Sequence, residues 1–109
     1  MKFVIIGAGT VGKWVASFLS VNSKVDEVII GDIDNKIVQN VTKKINNKKV
    51  SGTVIDINDV NATCKILEGA NCFINTAGYQ FNLKAMEAAL KSNVNYIDPG
   101  GLFHITTVS

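Results

Sequence analysis

Short apolar runs alternate with segments of helical periodicity along the whole chain. Residues 3–6 form a continuous apolar run, as expected for a central strand that helices cover on both faces. Further strands are predicted at residues 27–30, 52–57, 71–75 and 94–97, and a helical pattern follows each of the first four strands. Such an alternation is typical of strand–helix units that build a parallel sheet.

The predicted helices bury apolar residues that lie three and four positions apart. In the first helix, which opens directly after the first strand, the stripe expected against the sheet consists of Val11, Trp14, Val15, Phe18 and Leu19. The fourth helix carries a stripe of larger residues beside alanines that allow a close approach to the sheet. These are Leu83, Met86 and Leu90, with Ala85, Ala88 and Ala89.

Five strands with right-handed crossovers predict an α/β fold, a Rossmann-type doubly wound parallel sheet in three αβα layers with strand order 3-2-1-4-5. The 109 residues, 47% of them hydrophobic, suffice for one domain, 1–109. We expect this domain to be a fragment of a longer two-domain protein, because its last residues are too few for another strand–helix unit. The fifth strand would then be an uncovered edge, and self-association as a homodimer is expected. The apolar side chains left without a partner there are Leu102, Phe103, Ile105 and Val108.

Composition argues against several classes of partner. The formal net charge is +2, and all 11 basic residues are lysines, so the arginines that usually read phosphates and guanine edges are missing and nucleic acid is not an expected partner. No apolar run approaches the roughly 20 residues that span a bilayer, and we expect a cytoplasmic protein without membrane contact. Cys64 and Cys72 lack the spacing of a metal or disulfide site, so no metal is predicted and both are expected in the core.

A glycine-rich segment follows the first predicted strand and opens the first helix. Residues 7–12 read Gly7, Ala8, Gly9, Thr10, Val11 and Gly12, which matches the dinucleotide-binding pattern G-x-G-x-x-G in the context that the pattern requires. Gly7 suits the tight turn, Gly9 lets a pyrophosphate approach the backbone, and Gly12 lets the helix close on the sheet. The free amides and the dipole of the helix start favour a diphosphate. The segment therefore predicts a dinucleotide cofactor.

An acidic residue ends the second predicted strand. Asp32 comes twenty positions after Gly12, where a carboxylate accepts hydrogen bonds from the adenine-ribose hydroxyls of NAD and repels the 2′-phosphate of NADP. Ile33 is uncharged and Asp34 adds a second carboxylate. We therefore predict NAD as the cofactor in preference to NADP. Lys36, which could reach such a phosphate, and a helix-capping role for Asp32 are the competing interpretations.

Two further strand ends are expected to contribute to the same site. Asp56 and Ile57, at the end of the third predicted strand, should flank the adenine, although Asp56 could equally cap the next helix. Asn75, Thr76 and Ala77 follow the fourth strand at the carboxyl edge of the sheet, near the nicotinamide. For Asn75 a turn-capping role competes with ligand binding.

Catalytic residues do not stand out from the sequence. His104 has the only side chain with a reference pKa near neutrality, and an acid–base role for it is conceivable. No carboxylate is visibly placed to orient that imidazole. We therefore assign no catalytic residue.

Four segments carry a family resemblance that covers nearly the whole chain: residues 7–12, 54–59, 71–77 and 93–101. Together they resemble the amino-terminal cofactor domain of the saccharopine dehydrogenase-like oxidoreductases. In that family an Asn-containing loop follows the fourth strand, and the fifth strand reads like Val-x-Tyr-Ile-Asp, as residues 94–98 do. The resemblance implies an NAD(P)-dependent enzyme that makes or breaks an amino-acid-derived secondary amine by hydride transfer.

The chain departs from the family in two respects. Family members carry a second, substrate-binding domain, and this chain ends before one, so the isolated domain is expected to bind cofactor without turnover. Some members use an arginine after the ribose-binding acid to accept NADP, where Ile33 stands here. The alternative function is a regulatory nucleotide sensor of the potassium-transporter gate type, which shares the glycine loop and the acid but performs no chemistry.

Overall fold

The computed structural model describes residues 1–98 and 104–106. Its sheet has six strands in the order β3-β2-β1-β4-β5-β6, and the first five are parallel. The predicted doubly wound fold and strand order 3-2-1-4-5 are thereby confirmed. The elements are β1 (Lys2–Ile6), α1 (Thr10–Ser20), β2 (Glu27–Asp32), α2 (Asn35–Ile45), β3 (Val50–Val54), α3 (Val60–Ile66), β4 (Cys72–Asn75), a 3-10 turn (Tyr79–Phe81), α4 (Asn82–Ser92), β5 (Asn95–Asp98) and β6 (His104–Thr106).

The core lies in two layers, one on each face of the sheet. Successive side chains of a strand point to opposite faces, so Val4 packs with α3 and α4 while Ile5 packs with α1 and α2. Both residues are fully buried. Among the described helices the longest have 11 residues, and none is both long and apolar enough to cross a bilayer.

The prediction of which face α1 buries was wrong for its largest residues. Val11, Trp14 and Phe18 are 55%, 71% and 76% exposed. The buried line consists instead of the small residues Gly12, Ala16 and Ser20, and Val15 and Leu19 lie half-buried at its side. Small residues allow the helix axis to approach the sheet closely, and this places the bulky stripe on the outer side.

The same reversal occurs in α4. Leu83 and Leu90, expected against the sheet, are 82% and 56% exposed, whereas Ala85, Ala88 and Ala89 are fully buried. Met86 lies partly buried beside them. The alanines do allow close approach, as predicted, but they form the packing face itself rather than its border.

The third strand begins and ends earlier than the predicted 52–57. It pairs with β2 only as far as Val54, opposite Asp32. Asp56, expected to end the strand, lies in a turn, where its Oδ1 accepts a hydrogen bond from the Asn58 N–H (3.0 Å). A side chain that satisfies the backbone in this way ends the ladder. The cap of α3 is Asp59, whose Oδ1 accepts from the Ala62 N–H, so Asp56 does not cap that helix.

The expectation of an uncovered β5 edge was also wrong. The backbone of β6 pairs antiparallel with β5 and places Ile105 opposite Ile97 and His104 opposite Asp98. The predicted turn at 99–101, with Leu102, Phe103 and Val108, lies outside the described residues. Self-association stays a prediction, without the argument from a bare strand edge.

Cys72 in β4 gives the stability of the fold a dependence on alkaline pH. Burial raises the pKa of its thiol from 9.0 to about 11. The folded state therefore favours the neutral thiol. The free energy of unfolding keeps this contribution below about pH 9 and loses it as the pH rises through about 11. Urea unfolding measures this decrease in the free energy of unfolding between pH 9 and 11. We expect the decrease to be smaller by about 1–3 kcal/mol in Cys72→Ala than in the parent chain.

The partly buried Cys64 provides the matched control for that measurement. The free energy of unfolding should fall less between pH 9 and 11 in Cys72→Ala than in Cys64→Ala, because only the first change removes the thiol whose pKa burial raises. Equal slopes for Cys72→Ala and the parent chain would contradict the assignment to Cys72.

Candidate functional site

The glycine segment after β1 is shaped by packing at two of its three glycines. Gly7 has φ +105°, and a Cβ there would lie 2.7 Å from the Ala77 backbone nitrogen. A Cβ on Gly12 would overlap the carbonyl oxygen of Gly7. These two positions accept only glycine because the turn, the start of α1 and the loop after β4 are in contact.

Gly9 differs, because a Cβ built on it meets no atom within 4 Å. It is the N-cap of α1, so no side chain caps that helix, and the first turn of α1 contains no acidic residue. The starts of α2 and α3, by contrast, are capped by the carboxylates of Asp34 and Asp59. The amides at the start of α1 are therefore left for an anion from outside the helix.

Asp32 ends β2 beside the glycine segment. Its Oδ2 accepts a hydrogen bond from the Ala8 N–H (3.0 Å), and its Oδ1 accepts one from the Asp34 N–H (3.1 Å). Within the described part of the chain its carboxylate makes no ion pair. Each oxygen is fixed in place by one backbone donor and can still accept a hydroxyl hydrogen. This is the geometry that a ribose diol requires.

A cleft of about 510 Å³ runs along the carboxyl ends of the central strands. A cleft of this size at the topological switch point is the usual ligand site of an open parallel sheet. Sequence reasoning had singled out eight of its lining residues, and Gly7 among them also forms the turn: Gly7, Gly9, Asp32, Ile33, Asp56, Ile57, Thr76 and Ala77. It missed Ile6, Ile55, Asn58 and Phe81, which line it as well.

Four of the remaining expected site residues lie away from the cleft wall. Ala8 and Thr10 border a smaller depression of about 310 Å³ between α1 and α2. Val11 faces outward, and Gly12 is buried under the helix. The motif thus combines residues that touch the cleft with residues that shape the backbone around it.

Thr76 joins the two loops that form the floor of the cleft. Its hydroxyl lies 2.8 Å from the Gly7 carbonyl oxygen and 3.0 Å from that of Ile6, and it donates its hydrogen to these acceptors. Its backbone N–H also donates to the Ile6 carbonyl. Asn75 lies behind the wall, 2% exposed, with its side chain hydrogen-bonded to the loop that follows it.

The residues present fit a dinucleotide. The uncapped start of α1 lies in the middle of the cleft, where Gly9 leaves room for phosphates. From there the cleft passes the Asp32 carboxylate and ends at apolar walls formed by Ile55 and Ile57. At its other end it reaches Ala77 and Phe81. Phosphates, ribose and two flat rings each meet a matching surface.

Solved structures of several other proteins share this fold. The apo saccharopine dehydrogenase (L-Glu forming) of Saccharomyces cerevisiae matches 89% of the chain with TM-score 0.78 and 20% identity, over 21% of its own length. Pen from Bacillus thuringiensis matches 89% with TM-score 0.78 and 15% identity, over 37% of its length. DesIV, a dTDP-glucose 4,6-dehydratase of Streptomyces venezuelae with NAD and TYD bound, matches 86% with TM-score 0.66 and 18% identity, over 37% of its length.

The chain thus spans between a fifth and two-fifths of these three proteins, and at such identities the likeness establishes the fold alone. A protein family described as the saccharopine dehydrogenase NADP binding domain matches residues 3–108. This match covers nearly the whole chain, from β1 through β6. The expected resemblance is confirmed: the chain belongs to the saccharopine dehydrogenase NADP-binding domain family.

Proposed function

We propose that this chain is the cofactor-binding domain of an oxidoreductase that transfers hydride between NAD and an amino-acid-derived secondary amine. The observation that carries the proposal is the cleft that joins an uncapped helix start to the Asp32 carboxylate. The family match supports a dehydrogenase-type domain over the alternative of a gate-type nucleotide sensor. When bound, the nicotinamide supplies the hydride chemistry, and the protein binds and orients it.

The adenosine half of the cofactor would lie between β2 and the turn after β3. Asp32 would accept hydrogen bonds from the ribose hydroxyls. The exposed Asp56 would accept a hydrogen bond from the adenine amine through Oδ2, because its Oδ1 already accepts one from the Asn58 N–H. Ile57 lines the cleft and would contact the ring face. The phosphates would lie over Gly9 at the start of α1.

The preference for NAD over NADP rests on charge and on exposure. Ile33, 65% exposed and part of the cleft wall, occupies the position beside the ribose site where an arginine would stabilise a 2′-phosphate. The Asp32 carboxylate would lie close to that phosphate and repel it. Lys36, at the start of α2, is the nearest cation in sequence, and it follows the carboxylate of Asp34, which accepts its backbone N–H.

The substrate half of the reaction is proposed to depend on a second domain outside these 109 residues. The chain spans 21% of the yeast saccharopine dehydrogenase. We assign no catalytic side chain to the described residues. The domain alone should therefore bind dinucleotide without oxidising or reducing an amino-acid substrate.

Isothermal titration of the chain with NAD and with NADP tests this proposal. We expect a Kd for NAD in the micromolar range or weaker, about 8 kcal/mol of binding free energy at most, and weaker binding of NADP. No heat of binding at millimolar NAD or NADP would contradict dinucleotide binding. Equal or tighter binding of NADP would contradict the cofactor preference and leave the family role intact.

A further inference from the structure

A buried polar network lies directly behind the loop that forms one end of the cleft. Asn75, the last residue of β4, directs its Nδ2 to three acceptors: the Asn82 Oδ1 at 2.8 Å, the Gly78 carbonyl at 3.2 Å and the Tyr96 hydroxyl at 3.3 Å. Its Oδ1 accepts a hydrogen bond from the Ala77 N–H at 2.9 Å. One side chain therefore holds both Ala77 and Gly78 in the loop.

Tyr96 of β5 closes this network from the far side. Its hydroxyl donates to the Asn82 Oδ1 at 3.1 Å, so Asn82 accepts from two donors at once. The ring is 1% exposed and packs edge-on against Phe73, with centroids 6.3 Å apart. Burial, with a further contribution from Asp98, raises the pKa of Tyr96 to about 12, so the hydroxyl remains a donor at neutral pH.

The network controls a backbone shape that the loop does not adopt readily. Gly78 has φ +129°, a backbone conformation that residues other than glycine rarely adopt. Its carbonyl oxygen accepts a hydrogen bond from the Asn75 Nδ2. On the other side of the loop, Thr76 is tied to Gly7 in the glycine turn. Thr76 and Ala77 line the cleft, whereas Asn75 and Tyr96 do not. The polar groups behind the wall thus determine the position of the wall.

We propose that Asn75, Asn82 and Tyr96 are positioning residues that hold loop 76–78 against the nicotinamide half of the dinucleotide. They do not touch the ligand. This proposal rests on the proposed function, because it needs a dinucleotide that extends from Asp32 to Ala77. It replaces the ligand role of Asn75 that the sequence had left open.

The experiment compares NADH with ADP, which contains only the adenosine half. Binding of both to the chain is measured for Tyr96→Phe and Asn82→Ala, with NADH followed by the fluorescence of its nicotinamide. We expect about tenfold weaker NADH binding in both variants, with ADP binding changed less than about twofold. The fluorescence of bound NADH at saturation should also change, because the nicotinamide is less firmly held.

Two further variants serve as controls. Asn82→Asp keeps an acceptor oxygen for both donors at the start of α4, where a negative charge is favourable, so it should bind NADH within about twofold of the parent chain. Asn61→Ala replaces an exposed asparagine of α3 that lines neither the cleft nor the smaller depression, and it should change the binding of neither ligand. If Asn82→Ala fails to fold, Tyr96→Phe still removes one hydrogen bond of the network, and its NADH affinity is then compared with that of Asn82→Asp.

The outcomes separate this inference from the proposed function. A parent chain that binds neither NADH nor ADP contradicts the proposed function, and this inference with it. A parent chain that binds both, with Tyr96→Phe and Asn82→Ala unchanged for NADH, overturns the positioning role alone. Equal losses for NADH and ADP also overturn it, because they indicate a general loss of structure.

Discussion

Replacing Gly9 by alanine should abolish dinucleotide binding and leave the fold intact. A Cβ at this position meets no protein atom within 4 Å, and the backbone, with φ −79° and ψ −163°, suits any residue. The added methyl would stand where the phosphates must approach the start of α1. We expect at least about a hundredfold loss of NAD affinity, about 2.7 kcal/mol, and a free energy of unfolding within about 0.5 kcal/mol of the parent value.

Gly12→Ala is the matched variant, with the same chemical change three residues later. Its Cβ would overlap the Gly7 carbonyl oxygen, which is backbone and cannot rotate away. The variant should lower the free energy of unfolding by about 3 kcal/mol, although alanine is the better helix former. Urea unfolding and NAD titration of the two variants together separate the roles. If Gly9→Ala bound NAD normally, the phosphates would not lie over Gly9.

Replacing Asp32 by asparagine should reverse the discrimination between the two cofactors. Both carboxylate oxygens accept backbone hydrogen bonds, from Ala8 and Asp34, and both are proposed to receive ribose hydroxyls. The amide removes one acceptor and the charge. NAD affinity should fall about tenfold and NADP affinity should rise about tenfold, because the repulsion of the 2′-phosphate is lost. Titration of each variant with both cofactors measures the ratio.

Asp34→Asn supplies the control for that measurement. Asp34 caps α2 by accepting the Lys36 N–H at 2.9 Å, and asparagine caps a helix equally well. The change removes a negative charge two residues from Asp32 without disturbing α2. We expect the ratio of NAD to NADP affinity to change less than about threefold. A shift as large as that of Asp32→Asn would mean that the summed charge, not the ribose contact, sets the preference.

Much of the site follows from local pattern. An apolar run that ends in Gly7, followed by a helical pattern, can only place the glycines at a strand-to-helix turn, and Asp32 then falls at the end of the neighbouring strand. The parallel order brings the carboxyl ends of β1, β2 and β4 to one edge. Phe81, one of the cleft residues that the sequence did not reveal, lies in the 3-10 turn, whose path depends on the hydrogen bonds that Asn75 makes behind it to Gly78 and Tyr96.

The helix faces show where local pattern was insufficient. Periodicity identifies α1 and α4 as helices, but each helix has one face of large apolar residues and another of small ones, and both faces have helical spacing. The prediction chose the face with the larger side chains, which is the exposed one. The sheet instead packs on Gly12 and Ala16 in α1 and on Ala85 and Ala88 in α4. Which stripe is buried depends on the distance between the helix axis and the sheet, a property of the assembled layers.

Taken alone, the amino-acid order determined the succession of strands and helices, the dinucleotide turn and the acid beside it, because these depend on neighbours within a few residues. Tertiary structure decided the rest. It buried the helix faces that carry small residues, and it placed Gly12 against the Gly7 carbonyl. It also directed the Asn75 side chain to hydrogen bonds with the backbone of the loop that follows β4. Those outcomes depend on contacts between segments distant in sequence, which no local spacing contains.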